Sequence, residues 1–547
     1  MALTILSQEV YLLLSDFVSN IKIQTMMNIS KIIKLGFLSV ATMATMTSCS
    51  EWLKVDLEDS ILEGKLYENN DGYFAALNGI YSKMNETYAT TLSMGMIDVM
   101  AQYYNVAKNS NHAYYIAANY KYSEESFKSR SNAIWTSLYF YIANLNTLIE
   151  HCDASDSKLS AIYKPYVKGE ALALRAFFHF DLLRLYGPIY SKETENDKAI
   201  PYQETSSKDG QPILTAKQVA EKVMRDLDEA SELLKEDRIR KDGVVNGDGE
   251  DPNETTLLRY RQYRLNYYAV LALKARLYLW MGDKDNAYAT ALSIIEENKK
   301  NNTFPWIAKK AVTDSRNPDC IFSTEVMFAL YNRSRVKGYD ALFSPQADMK
   351  NTLYFKGASL AEGDLESKLS YFYDDMGDLR RSSMWIVEEL SSNDEGGTLN
   401  KQNALCFKKF ADLSEDTNYR YMQPLIRLSE IYLIAAECAK TPEEAIGYIN
   451  EIRKARNCVN LELSATGGDK EIENYVYREF MREEIGEGQM FYYYKRHAAE
   501  QMMSGTEFGK PNYWTGTVTA MEGSYKMELS NYVWPLPEVE VNKRVNK

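Results

Sequence analysis

Apolar residues in this chain recur at steps of three and four, and twice the pattern meets a turn and restarts at a fixed spacing. From Val167 the apolar positions are Ala171, Leu174, Phe178, Leu182 and Leu185, one face of a helix that Gly187-Pro188 stops. Leu425, Leu428, Tyr432, Ala435 and Ala439 repeat the rhythm, and Pro442 opens the next helix at a first turn, where proline is tolerated. In one pair Ala275 and Tyr278 precede a Gly282-Asp283 turn, and Ala287, Ala291 and Ile294 follow. In the other Leu433 and Ala436 precede Lys440-Thr441, and Ala445, Ile449 and Ile452 follow. Tyr278 to Ala287 and Ala436 to Ala445 are both nine positions. Small residues there let two antiparallel helices approach closely, as in tetratricopeptide repeats. The spacing between pairs is uneven, so no simple solenoid is expected. Tyr139-Phe140-Tyr141 with Ile142, Leu145 and Leu148 reads as a further helix. The expected fold class is all-α, with minor short strands.

Long polar stretches separate these helices: residues 91–130, 187–215, 237–258 and 300–420, the last with strand-like runs such as Val326–Leu330. Long loops in a compact protein are uncommon and usually functional, so a helical scaffold with an elaborated loop face is expected.

The start of the chain has a different character. Lys31 and Lys34 flank an apolar run, Ile32 to Val40, then small residues lead to Met46-Thr47-Ser48-Cys49. That is a secretory leader, and a cysteine at its end reads as a lipid attachment site, with Met46 where such motifs usually carry Leu. Residues 1–48 are thus expected to be removed. Residues 1–25 read as an extension ahead of a start at Met26 or Met27. No segment reaches the ~20 apolar residues that a spanning helix needs, so anchoring falls to lipid.

The net charge is −13, and the leader is itself slightly basic, so the body is more acidic still. This excludes nucleic acid, which needs clustered Lys and Arg facing phosphates, and docking on anionic lipid. With Cys49 acylated, Cys152, Cys320, Cys406, Cys438 and Cys458 remain, without zinc-like spacing, and read as isolated buried thiols. A Cys438–Cys458 bridge is not specified by spacing alone. Gly247-Asp248-Gly249-Glu250-Asp251 lacks the full EF-hand ligand pattern and reads as a solvated loop. No metal or cofactor is expected.

Tyrosine is abundant, 41 residues against 4 histidines. Most should pack helices, but loop tyrosines suit polar ligands with flat apolar faces. The candidates are Tyr103, Tyr104, Tyr114 and Tyr115, beside Asn105, Asn109 and Asn111, then Trp306, Tyr331, Tyr354 and Phe355. Trp135, Trp280 and Trp534 lie in helices or motifs and read as core. Glu170, Arg175, Arg427, Glu430 and Glu437 sit on otherwise apolar helices and read as buried ion pairs. Asp374-Asp375 and Glu483-Glu484 invite a glycosidase reading, but neighbours in sequence point apart, whereas that chemistry needs two carboxylates across a cleft. No catalytic residue is assigned.

Five ordered stretches resemble the SusD/RagB family of outer-membrane nutrient-uptake lipoproteins of Bacteroidetes. They are Gly72 to Tyr81, Gly169 through Leu185-Tyr186-Gly187-Pro188, Ile426 to Glu437, Arg478 to Arg496, and Trp534-Pro535-Leu536-Pro537-Glu538-Val539-Glu540. Trp52-Leu53-Lys54-Val55-Asp56 lacks the family's proline, Met490 replaces its common Arg, and Tyr493-Tyr494 its Asp-Leu. The resemblance implies one SusD-like domain over 49–547, with an N-terminal part over 49–236 and a C-terminal part over 237–547. It implies a lipid-anchored protein on the outer face of the outer membrane, lid to a SusC-like TonB-dependent barrel, binding oligosaccharide. The alternatives are a peptide-binding RagB-like lid and a surface glycoside hydrolase.

Overall fold

In the computed structural model the helices form a ladder in which each packs on its sequence neighbours. The structure describes residues 65–545 apart from 108, 208, 247–255, 357–368, 370–371, 394–398, 466 and 503–524. Cys49 and its leader, and the Gly247–Asp251 stretch, lie outside these. The ladder comprises α1 (Asn70–Thr87), α2 (Glu125–Asp153), α3 (Lys164–Tyr186), α4 (Ala216–Leu233), α5 (Tyr267–Trp280), α6 (Lys284–Asn301), α7 (Leu428–Cys438), α8 (Pro442–Ala455) and α9 (Asp469–Glu484). From α2 to α9 each helix packs on the next. The fold is helix-dominated, as the sequence periodicity requires.

Local chemistry sets the boundaries. Thr215 and Gln218 form a capping box on α4, and the side chains of Asn266, Asp283 and Thr441 accept from first-turn amides of α5, α6 and α8. Ala275, Ala287, Ala291 and Ala445 are buried at the seams, where a larger side chain would push the helices apart. At the end of α3 the buried Lys495 donates to the carbonyls of Arg184 at 2.8 Å and Gly187 at 2.7 Å, while the Trp534 amide donates to Leu185 O at 3.0 Å. Orphan carbonyls at a helix end need such partners. Lys495 lies on α10 (Met490–Arg496), so three of the sequence motifs converge on one helix terminus.

Before α4 the chain forms a short antiparallel pair, β1 (Lys198–Pro201) and β2 (Ile213–Thr215). Between α6 and α7 it makes its large excursion. It leaves on β3 (Val326–Tyr331) and returns on β7 (Met422–Arg427), antiparallel, with Val326 opposite Arg427 and Tyr331 opposite Met422. Within it, β4 (Tyr354–Lys356) and β5 (Trp385–Asn393) both pair with β6 (Leu399–Phe407). The 91–130 stretch is less irregular than its composition suggests: it holds two short helices, Met96–Met100 and Tyr115–Ala118, and the first turn of α2. Cys152, Cys320, Cys406, Cys438 and Cys458 are free, buried thiols.

The excursion is fastened to the ladder by a buried charge cluster. Glu483 on α9 accepts from Arg427 at 2.6 Å, Arg380 at 2.7 Å and Arg456 at 2.7 and 2.9 Å. Arg456 also grips Glu325, which immediately precedes β3, through two bonds of 2.7 Å. Burial alone would raise the Glu483 carboxyl, but Arg456, Arg427 and Arg380 outweigh it and hold it well below the usual carboxylate range. Arg427 on β7 reaches Glu487 at 2.7 Å. Nearby, the buried Asp98 carboxylate accepts from the amides of Gly486 and Gly488, tying the early helices to the loop after α9. Gly488 has φ +74°, and a Cβ there would stand 2.3 Å from Leu92 O, so only glycine fits.

Glu483→Gln should lower unfolding free energy at pH 7 by about 3–5 kcal/mol, because three guanidinium groups lose their shared counter-charge. The depressed carboxyl stabilises above its unfolded pKa, about 4.3, and that contribution fades as pH falls through the folded value. Urea titrations should therefore show the wild-type advantage over Glu483→Gln shrinking below about pH 4.

Candidate functional site: a tyrosine-floored groove

The loop at 260–264 is positioned by a carboxylate on α3. Glu170, fully buried, accepts from Arg261, from Arg264 at 3.2 Å and from the Tyr81 hydroxyl at 2.9 Å. Asp237 holds the other side of Arg261 at 2.7 Å. Tyr260 sits in this loop at φ +52°, a conformation unusual for a residue with a side chain, and its amide donates to Val245 O at 3.0 Å. The clamp presents Tyr260 and Tyr263 to a cavity of about 610 Å³, closed by α1, the end of β3 and residues 416–421.

Tyr331 is 47% exposed, at the end of β3. Its ring lies 5.6 Å from those of Tyr263 and Tyr421, at 84° and 71°. The Tyr263 hydroxyl donates to Asn418 O at 2.7 Å, which fixes one wall. Asn85 donates to Tyr331 O at 3.1 Å, leaving its own Oδ1 buried without a partner; Asn246 Oδ1 and Thr417 Oγ1 are in the same state. The cavity wall is also lined by Asn78, Asn85, Asn246, Thr417 and Asn418, whose amide and hydroxyl groups are of the kind that hydrogen-bond a polar ligand. A second cavity of about 800 Å³ shares Asn246, Asp416, Thr417 and Asn418 with the first. It continues along Asn301, Asn302, Thr303 and Thr324, and Thr303 Oγ1 is again buried and unpartnered. The two form one groove with an aromatic end and an amide–hydroxyl end. Another depression, between residues 235–242 and the end of α6, has no aromatic lining, and its charges pair internally, as Arg240 does with Glu297 at 2.9 Å.

The sequence candidates divide. Tyr331 lies in the groove. Tyr103 and Tyr104 are buried, their rings 6.2 Å apart, with Tyr104 a further 6.2 Å from Phe355. Tyr103 donates to Met481 O at 2.7 Å. Tyr354 is buried against Leu390, Ala404 and Cys406. These rings are occupied by protein and leave no face for a ligand. Tyr114, also buried, packs under Arg130, whose guanidinium is 5.0 Å from the ring centre. Tyr115 is half-buried, with Lys121 4.6 Å above it, and stands apart from the groove residues. Trp306 is half-buried against Tyr432 at 5.0 Å and Arg456 at 5.6 Å, covering the charge cluster. Trp135, Trp280 and Trp534 are core. Sequence reasoning missed Tyr260, Tyr263 and Tyr421. The signal available was aromatics alternating with Asn and Arg in Asn418-Tyr419-Arg420-Tyr421.

The acidic pairs are held by arginines. Asp374 is 3.0 Å from Arg482 and 3.1 Å from Arg453, and Glu483 is the centre of the charge cluster. Arg175 pairs with Asp226 at 2.6 Å, Arg276 with Glu430 at 2.6 Å and Glu437 with Arg496 at 2.5 Å, as ion pairs holding helices together.

Residues 334–546 match the SusD family model, and residues 73–242 match a model described as "Starch-binding associating with outer membrane". The chain belongs to the SusD/RagB family. SusD-like protein P38 of Formosa agariphila is 24% identical over 516 residues, covering 84% of this chain and 90% of that protein. A SusD superfamily protein from Bacteroides thetaiotaomicron shares the fold at TM-score 0.65 and 22% identity, covering 87% of this chain and 98% of its own. A SusD-like carbohydrate binding protein from Bacteroides vulgatus does so at TM-score 0.57 and 16% identity, covering 88% and 97%. No described helix of this chain is long and apolar enough to cross a membrane.

Two substitutions separate core tyrosines from groove tyrosines. Tyr104→Ala should cost about 3–5 kcal/mol in chemical denaturation. Tyr331→Ala should change stability by no more than about 0.5 kcal/mol.

Proposed function

We propose that this SusD/RagB-family protein is a non-catalytic, surface-exposed lipoprotein that captures oligosaccharide and delivers it to a SusC-like TonB-dependent outer-membrane transporter, acting as its lid. The observation that carries the glycan reading is the groove: the exposed Tyr331 ring beside the half-buried Tyr260, Tyr263 and Tyr421 at one end, and amide and hydroxyl side chains along both cavities. A pyranose offers an apolar C–H face to an aromatic ring, and its hydroxyls donate to amide oxygens. Two adjoining cavities of about 610 and 800 Å³ leave room for more than one sugar unit. Family membership supports the transporter partner and the outer-membrane address. The lipid anchor rests on Cys49, and a soluble body tethered there keeps a moving lid attached to its barrel. Residues 49–547 are read as one domain.

Calorimetric titration against a panel of neutral oligosaccharides should find binders whose affinity rises with chain length. Tyr331→Ala and Tyr263→Ala should each weaken binding about fivefold to tenfold. Binding of peptides instead of glycans, or glycan binding indifferent to both substitutions, would overturn this reading of the groove. Cys49→Ala should leave binding in vitro unchanged while abolishing membrane attachment in cell fractionation.

A further inference from the structure

Arg335 is 2% exposed and has no carboxylate within ion-pair distance among the described residues. Every other buried arginine among the described residues has one, from Arg175 on Asp226 at 2.6 Å to Arg456 on Glu325 at 2.7 Å. The Arg335 guanidinium donates only to neutral carbonyls, Met422 O at 3.2 Å and Ala411 O at 3.4 Å, and its Nε is buried with no partner. The neighbouring acids are taken: Asp412 accepts two bonds of 2.9 Å from Arg420, and Asp319 accepts from the Ser323 hydroxyl at 2.6 Å. Burial lowers the Arg335 pKa to about 10, the opposite direction from the paired Arg427 and Arg456.

Arg335 lines a cavity of about 190 Å³ together with Cys320, Ser383, Lys408 and Lys409. Asp412 is its single acidic lining residue and is matched by Arg420. Lys409 is matched by Glu487, but Arg335 and the half-exposed Lys408 leave uncompensated positive charge. A buried charge without a partner is strongly unfavourable, and the guanidinium fork fits the oxygens of sulfate or phosphate. The cavity holds several waters' worth of space at about 30 Å³ each, enough for one tetrahedral oxyanion and too small for a sugar ring with its substituents.

We propose that this pocket binds a tetrahedral oxyanion, sulfate or phosphate, which supplies the counter-charge missing at Arg335. The same chemistry could arrive as a free ion or as a sulfate ester, and the pocket meets the groove at Tyr419, which lines both. The assignment stands independently of the glycan reading, because its probe is the inorganic ion.

The test is thermal unfolding and calorimetry of the full chain with sodium sulfate or sodium phosphate, against sodium chloride at matched ionic strength. The expected result is a saturable rise in Tm with sulfate or phosphate and none with chloride. Arg335→Met should abolish the saturable rise, and in chloride it should melt no lower than wild type. Lys408→Ala, a change at a half-exposed site that keeps the fold testable, should weaken sulfate at least fivefold. Glucose 6-sulfate set against glucose distinguishes the sources: no effect of the ester assigns the pocket to the free ion, and an effect equal to sulfate assigns it to an ester. A wild-type response no different from chloride, or one unchanged in both Arg335→Met and Lys408→Ala, would overturn the proposal.

Discussion

The charge cluster around Glu483 is what lets a helical ladder carry a large excursion on a fixed base. Burying six charges together is ordinarily unfavourable, since each must leave water. Here the geometry answers it. Arg456 spans Glu483 and Glu325 with both edges of its guanidinium, and Arg427 spans Glu483 and Glu487. Each partner comes from a different element: α9, the loop before β3, the end of β7 and the end of α8. Loss of Glu483 removes a counter-charge from three guanidinium groups at once, though Arg456 keeps Glu325 and Arg427 keeps Glu487, and the shared carboxylate fixes where the β3–β7 ribbon leaves the ladder. Trp306 and Phe322 cover Arg456, the latter 4.0 Å from its guanidinium, which keeps water from the cluster.

The groove inherits its shape from such anchors. Tyr331 is the last residue of β3, so the register of the ribbon determines where its ring stands. Tyr260 and Tyr263 are held through Glu170, and Tyr421 immediately precedes β7. Thus the aromatic floor sits on residues tied to rigid elements, while the amide-bearing wall at 416–418 belongs to a connecting loop. A rigid stacking surface limits the entropy lost when a flexible polymer docks, and the Tyr263–Asn418 bond ties the polar wall to that floor.

What the sequence disclosed follows a physical division between local and distant causes. Helix faces, the small residues at Ala275 and Ala287, the turns at Gly282-Asp283 and Lys440-Thr441 and the stop at Gly187-Pro188 depend on neighbours within a turn or two. All stand in the structure as the pattern requires, except that Leu425, read as part of a helix face, lies in β7 and α7 begins at Leu428. The charged residues on apolar helices were legible as ion pairs because an unpaired buried charge is untenable, though their partners, up to 154 positions apart for Arg276 and Glu430, were not. The site was legible only at Tyr331. Tyr103 and Tyr354 carry the same loop-like sequence context, yet both are covered by segments distant in the sequence, Tyr103 by the turn of helix at Met481 and Tyr354 by Leu390, Ala404 and Cys406. Whether a loop aromatic ends up inside or outside depends on which distant segment lies over it, and no local pattern encodes that.

The tyrosine richness follows from the same division. Phenylalanine would fill the core equally well, but several buried tyrosines here use the hydroxyl to close a backbone carbonyl on another segment. Tyr73 reaches His151 O at 3.1 Å, Tyr103 reaches Met481 O at 2.7 Å and Tyr532 reaches Ala499 O at 2.7 Å. A ladder interrupted by long loops has many carbonyls that no helix or sheet satisfies, and a polar handle on an apolar ring meets both needs at once. Tyr263 does this at the groove wall, spending its hydroxyl on Asn418 O while its ring lines the cavity. The residue that suits this scaffold is therefore also the residue that suits a sugar, which is why composition alone pointed toward ligand binding and could not say which tyrosines perform it.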